Sequence, residues 1–224
     1  MLADHFRILR SVFDIQYSFL VIIFPPPLPM NKTRFEAFSD GVFAIIITIM
    51  VLEIKVPHEP TLDALKKLLP TFISYVVSFT YIAIYWINHH HISACIKKVD
   101  TPILWSNIGL LFSLSLVPFC TGWVSETAFA PLPTRLYCIN QLFAGFTAWL
   151  FQVAIVRGLP KDDPIFAYIK RNMFKNVISV IAYISSVFAS YWNPVIGFSI
   201  IGAVSFVWMI PDRGIEKAIS EEEN

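Results

Sequence analysis

Two places in the chain combine side chains that could do chemistry within apolar surroundings. Ser39 and Asp40 lie about one turn into an apolar stretch, and His89, His90 and His91 stand in a row near the end of another. A hydroxyl, a carboxylate and an imidazole could together form a nucleophilic catalytic site. Successive residues of a helix point about 100° apart, however, so Ser39 and Asp40 face away from each other. We therefore predict that the chain is not an enzyme and has no catalytic residue.

The three adjacent histidines also suggest a metal site, because imidazole is a common zinc ligand. Three consecutive rings cannot share one face of a helix, and a zinc site needs a further ligand close by. We expect no metal site and no cofactor. We interpret the histidines as packed or hydrogen-bonded side chains, with exposure at a membrane interface as the alternative.

The composition indicates that part of the solvent is lipid. Hydrophobic residues make up 56% of the 224 residues, charged residues make up 15%, and the mean hydropathy is +0.62. A soluble domain of this size does not need so much apolar surface for one core. We therefore predict a lipid bilayer as partner. The formal net charge is +1 and no Lys/Arg-rich stripe occurs, so we exclude nucleic acid as a partner.

Six apolar segments have about the 20 residues that a helix needs to cross a bilayer. They cover residues 35–56, 69–95, 103–123, 136–156, 173–191 and 194–210. Pro57 should end the first segment, and Pro118 should kink the third, because proline has no N–H to continue the helix. We predict an all-α integral membrane protein with six transmembrane helices.

The segments divide the chain into three parts. Residues 30–210 form the six-span domain, and residues 211–224 form an acidic cytoplasmic tail. Residues 1–29 contain an apolar run too short to span, followed by several prolines. We interpret them either as a disordered leader or as the result of a mis-called start. In the second case Met30 is the natural first residue.

The basic residues predict the orientation, since Lys and Arg collect on the cytoplasmic side. One side of the predicted topology has Lys32, Arg34, Lys97, Lys98, Arg157, Lys161, Lys170, Arg171, Lys175, Arg213 and Lys217. The other side has only Lys55, Lys66, Lys67 and Arg135. We expect both termini in the cytoplasm and a multi-pass protein of the inner or plasma membrane.

A carboxylate inside an apolar helix needs partners, because leaving it unpaired in a membrane costs several kcal/mol. The start of the first span, the end of the second and the start of the third lie on the same side of the membrane, which brings Asp40 near Asn107 and the histidines. We predict a polar network that holds the first helix against the next two, formed by Arg34, Ser39, Asp40, His89 or His90, and Asn107.

The helix after this network has one face at positions i, i+3, i+4 and i+7, formed by Ile45, Thr48, Ile49 and Leu52. The segment is apolar all round, so periodicity alone does not single this face out. A buried helix that contacts other helices and lipid is the ordinary explanation of such a pattern. The function of this face therefore depends on further information.

That information comes from a resemblance. The chain resembles the bacterial branch of the transmembrane protein 175 family of potassium channels, whose first helix carries an Arg-x-x-x-Phe-Ser-Asp motif, here Arg34, Phe38, Ser39 and Asp40. The likeness extends from about Met30 to the end of the sixth span. It includes a Trp-x-Asn-His-His pattern from Trp86 to His90 and a Leu-Trp-x-Asn pattern from Leu104 to Asn107.

The resemblance implies a homotetramer in which the first helices line a central pore for potassium, without a glycine-rich carbonyl filter. By position in the family motif, Ile45 would form a hydrophobic constriction, Thr48 a hydroxyl ring and Leu52 a second narrow point. Glu53 would then lie at the outer mouth, with an ordinary interfacial charge as the alternative. Besides a channel, a secondary transporter remains a candidate, although transporters more often place ionisable groups at the midplane.

Overall fold

The computed structural model describes residues 30–160 and 164–209; within 164–174 it describes the side chain of Phe166 alone. The predicted leader 1–29 and acidic tail 211–224 lie outside the described residues. Eight helices form in the described residues: α1 Lys32–Leu52, α2 Leu62–Lys67, α3 Leu69–Ala94, α4 Thr101–Ser115, α5 Val117–Glu126, α6 Pro131–Arg157, α7 Pro164–Trp192 and α8 Pro194–Trp208. The described residues contain no strand, so the all-α fold is confirmed for them.

The long helices run alternately up and down the bundle, as contacts near their ends show. At one end, Lys32 at the start of α1 donates to the carbonyl of Ala94 at the end of α3, and Asn176 early in α7 donates to Gln152 late in α6. At the other end, the Arg135 guanidinium near the start of α6 lies over the ring of Tyr191. Counting α4 with α5 as one pass, the described chain crosses the bundle six times.

Four of these passes are long and apolar enough to cross a membrane: Lys32–Leu52, Leu69–Ala94, Thr101–Glu126 and Pro131–Arg157. Helix α8 is apolar but has only 15 residues, and the 29-residue α7 is not among the four. The chain is therefore a multi-pass membrane protein with four clear spans. Six membrane spans remain a prediction.

Pro118 interrupts the third pass, as the sequence predicts. Helix α4 ends at Ser115, Leu116 caps it, and α5 begins at Val117 with the proline in its first turn. Because Pro118 has no N–H, the carbonyl of Leu114 cannot receive the usual bond from the residue four positions later. The first turn of a helix tolerates this loss, so the chain restarts as a second helix.

The predicted end of the first span is wrong. The sequence suggests that it reaches residue 56, before Pro57, but α1 ends at Leu52. The N–H groups of Glu53 and Ile54 bond to the carbonyls three residues earlier, Met50 and Val51, which tightens the last turn and ends the helix. The proline is therefore not what stops α1. Helix α2, capped by the Thr61 hydroxyl, is not predicted from the sequence.

Candidate functional site

The start of α1 is attached to α3 and α4 through the side chain of Asn107. Its Nδ2 donates to Ser39 Oγ at 3.0 Å, and its Oδ1 lies 2.8 Å from Nε2 of His89. Since an amide oxygen only accepts, the proton of this bond belongs to His89 Nε2. Nδ1 of the same ring then accepts from Ser93 Oγ at 3.3 Å. All four side chains are buried, so these hydrogen bonds join α1, α3 and α4 in the interior of the subunit.

Aromatic rings surround His89 and fix its plane. The Phe151 ring lies parallel to the imidazole, with an interplanar angle of 6° and centroids 5.2 Å apart. Phe35 and Phe43 of α1 contact the same imidazole, with centroids at 6.1 Å and 5.5 Å. A ring held among apolar neighbours and two neutral hydrogen-bond partners is a structural link between α1, α3 and α6. The sequence analysis missed Phe151 and Ser93, although Ser93 lies one helical turn after His89.

Asp40 has a different partner. Its Oδ1 accepts from Trp86 Nε1 at 2.9 Å, and both residues are exposed in the single chain. The His90 ring lies beside the Trp86 indole with centroids 6.2 Å apart, and it is exposed as well. Of the two candidate histidines, His89 therefore bonds to Asn107 and His90 does not.

The single predicted network is in fact two separate groups, because Ser39 and Asp40 point in different directions around α1. Ser39 faces inward to Asn107, and Asp40 faces outward to Trp86. Arg34 and Phe38 join neither group; both are exposed, Phe38 with 59% of its surface. They lie on the part of α1 that the rest of the subunit leaves uncovered.

An uncovered stripe follows α1 along its whole length. Ile45, Ile49 and Leu52 expose 58%, 43% and 74% of their surfaces, and Thr48 between them is also exposed. The opposite face is buried in the bundle through Phe43, Ile46 and Met50. The Thr48 hydroxyl donates to carbonyls of its own helix, Ala44 at 3.0 Å and Ile45 at 2.9 Å, so its oxygen lone pairs remain available on the exposed side.

At the other end of α1, Glu53 turns toward α5. Its carboxylate lies directly over the backbone of Gly122, where an added Cβ would come within 2.6 Å of Oε2. Nearby, the Lys55 ammonium pairs with the Glu126 carboxylate. This hydrogen bond raises the pKa of Lys55 above its usual value. The predicted outer-mouth carboxylate is thus half-buried and packed against a neighbouring helix of its own subunit.

The histidine, cysteine and carboxylate side chains of the described residues form no cluster of three that could bind a metal ion. Of the adjacent histidines, His89 is buried, His90 is exposed and His91 is half-buried, as expected for consecutive positions on a helix.

Comparison with known proteins identifies the fold around this site. Residues 34–118, which include most of α1 and all of α3 and α4, match the family model described as endosomal/lysosomal potassium channel TMEM175. A potassium channel of a Chryseobacterium species is 42% identical over 192 residues, which are 86% of this chain and 100% of the relative. The chain belongs to the TMEM175 family.

Other TMEM175 relatives match over shorter stretches. A potassium channel of Chamaesiphon minutus is 39% identical over 111 residues, 47% of this chain and 55% of the relative. The human endosomal/lysosomal proton channel TMEM175 is 33% identical over 149 residues, 57% of this chain but 28% of the relative. The crystal structure of a lysosomal potassium-selective channel TMEM175 homolog from Chamaesiphon minutus superposes with a TM-score of 0.69 at 25% identity, over 80% of this chain and 96% of that one.

Proposed function

We propose that this TMEM175 family member is the subunit of a potassium-permeable cation channel, and that four copies surround a pore lined by α1. The observation that carries the proposal is the uncovered face of α1, which presents three large apolar side chains and one hydroxyl in succession along the helix. The relatives support it as well, since several bacterial ones are named potassium channels.

The proposed pore conducts without a carbonyl filter. In a symmetric ring each residue appears once per subunit, so Ile45 forms an apolar collar and Leu52 a second one. Narrow apolar collars resist ions because water leaves them easily, whereas a ring of Thr48 oxygens replaces part of the water lost by a cation. Glu53 beyond Leu52 adds negative charge near the outer mouth. We expect potassium to be preferred over sodium by a limited factor.

The polar groups at the start of α1 hold this lining in place. The Ser39–Asn107–His89 bonds fix the buried face of α1, and the Trp86–Asp40 bond restrains its exposed face. A pore helix needs such restraint because rotation about its axis would turn Ile45 away from the constriction. In this proposal Arg34 and Phe38 lie at the cytoplasmic entrance, at contacts between subunits.

We further propose six membrane spans, with α7 and α8 as the fifth and sixth. Because α1 begins and α8 ends at the same side of the bundle, both termini would lie in the cytoplasm, as the distribution of basic residues indicates. The membrane would be the inner or plasma membrane of a bacterium.

The first experiment reconstitutes the protein in a planar bilayer with potassium on one side and sodium on the other. A reversal potential displaced toward the potassium equilibrium potential, and changed by Ile45→Ala and by Thr48→Ala, supports the pore and its lining together. Val51→Ala is the matched control, because Val51 is also exposed on α1 but points about 120° away from Ile45. Inserted protein that carries no passive current would overturn the proposal and favour a secondary transporter.

A further inference from the structure

A partly open cavity of about 70 Å³ lies between helices of the subunit, behind the helix that we place at the pore. It is lined mainly by α3, α6, α7 and α8, in the half of the bundle that contains the start of α1. A single buried water needs about 10–15 Å³. The space is therefore large enough for a small organic molecule, and nothing in the channel mechanism requires it.

The walls of the cavity combine aromatic surface with neutral hydrogen-bonding groups. The rings of Tyr81, Tyr85, Phe151, Tyr183 and Trp208 supply the apolar surface. Amide and hydroxyl groups supply the polar positions, from Asn88, Gln152, Asn176 and Ser179. None of the described residues in the lining is Asp, Glu, Lys or Arg, so these walls offer no counter-charge to a charged molecule that loses part of its hydration there.

Packing in the subunit keeps this space open. Gly145 on α6 has no side chain, and a Cβ there would lie 3.0 Å from the ring of Tyr183 and 3.9 Å from the hydroxyl of Tyr85. The two tyrosines consequently approach the α6 backbone and form one wall. One helical turn before Tyr183 on α7, Ser179 Oγ accepts from Trp208 Nε1 at 2.8 Å, which holds the indole of α8 against α7.

The cavity shares two residues with the group of side chains that surrounds His89 and holds the start of α1. His89 and Phe151, whose rings stack at 5.2 Å, both line it. The same His89 bonds through Asn107 to Ser39 of α1. An occupant that contacts these rings thus touches the group that positions α1.

From this geometry we infer that the cavity is a binding site for a small uncharged aromatic molecule that carries a hydroxyl group, and that its occupancy changes ion conduction through His89 and α1. Phenol is the simplest probe of this class. The binding part stands on the cavity alone, whereas the effect on conduction rests on the proposed channel function.

Site-directed labelling tests the binding part. In the Ala148→Cys variant, reconstituted in nanodiscs, the introduced thiol lies in the cavity wall and should react with benzyl methanethiosulfonate. Phenol at ten times its dissociation constant should slow this reaction about tenfold, because only about a tenth of the sites are then free. Benzoate and benzylammonium, which are similar in size but charged, should not slow it.

Leu150→Cys is the matched control, since Leu150 lies on the exposed side of the same helix. Its labelling should be independent of phenol. The native Cys95, Cys120 and Cys138 are buried, and intact mass of the wild-type protein treated in parallel corrects for any reaction there. A thiol that phenol does not protect, or that the charged probes protect equally, would overturn the inference.

Potassium flux tests the coupling. Labelling of Ala148→Cys should change flux in proteoliposomes, and labelling of Leu150→Cys should not. Unchanged flux after complete labelling would contradict the inference. Absence of flux in every sample, including the wild type, would count against the channel function and leave the labelling result intact. If Ala148→Cys does not fold, the wild type should gain thermal stability from phenol and Ala148→Met, which fills the cavity, should not.

Discussion

Asn107 on α4 donates its Nδ2 proton to Ser39 Oγ on α1 at 3.0 Å, and both side chains are almost completely buried. The same amide holds the imidazole of His89 on α3 through its oxygen. One side chain of α4 thus connects α1, which we place at the pore, with α3 and α4.

The first prediction concerns the stability that this amide supplies. Asn107→Leu keeps the approximate size but leaves His89 Nε2 without a partner and removes the donor to Ser39 Oγ, whose own proton still goes to the carbonyl of Phe35. A buried polar group that loses its partner costs about 1–3 kcal/mol, so the free energy of unfolding should fall by at least that amount. Denaturant titration in mixed micelles measures the change. Ser106→Ala is the control, because its hydroxyl bonds only to carbonyls of its own helix. Equal stability of the two variants would contradict this role.

The second prediction concerns the Trp86–Asp40 hydrogen bond. Trp86→Phe removes the donor, and Asp40→Ala removes the acceptor. If the two side chains act as a pair, a double-mutant cycle should give a coupling energy of about 0.5 kcal/mol or more. Because both groups are exposed in the single chain, the effect should be smaller than that of Asn107→Leu. Strictly additive effects on stability and on conduction would mean that the bond restrains nothing.

The third prediction concerns the lining of the pore. A water-soluble cationic thiol reagent should block most of the current through Thr48→Cys, because the modified ring adds bulk and positive charge at a narrow point. Ile46→Cys, whose side chain would be buried within the subunit, should be unaffected. Macroscopic current before and after treatment gives the result. Block in the Ile46 variant without block in the Thr48 variant would place a different face of α1 at the pore.

The fourth prediction concerns Glu53. Glu53→Gln should lower single-channel conductance in about 10 mM salt, where charge acts over about 30 Å, and have little effect in about 1 M salt, where it acts over about 3 Å. Gly122→Ala should displace the Glu53 carboxylate, which an added Cβ would approach within 2.6 Å, and thereby change the same low-salt conductance. Glu59→Gln, at an exposed loop position, is the control. Identical conductance of Glu53→Gln and wild type at low salt would exclude the outer-mouth role.

The sequence determines that the protein lies in a lipid membrane, and it determines the positions of the long helices. Apolar stretches of membrane-spanning length, separated by polar and proline-containing connections, coincide with α1, α3, α4–α5 and α6. Such features are local: length and apolarity decide whether a segment can enter lipid, and a missing N–H at Pro118 decides where the third pass breaks. The motif residues Ser39, Asp40, His89 and Asn107 are likewise visible in the sequence as polar groups in apolar surroundings.

Tertiary structure decides how those polar groups are paired. Helical periodicity places Ser39 and Asp40 on different faces, but only the packing of α1 against α3 and α4 gives one to Asn107 and the other to Trp86. The same packing selects His89 over His90, stacks Phe151 on the imidazole and turns Glu53 toward Gly122. The cavity behind α1 is formed by residues from helices far apart in the chain. No local pattern records such contacts, because they depend on how the helices pack and not on the order of residues within any one of them.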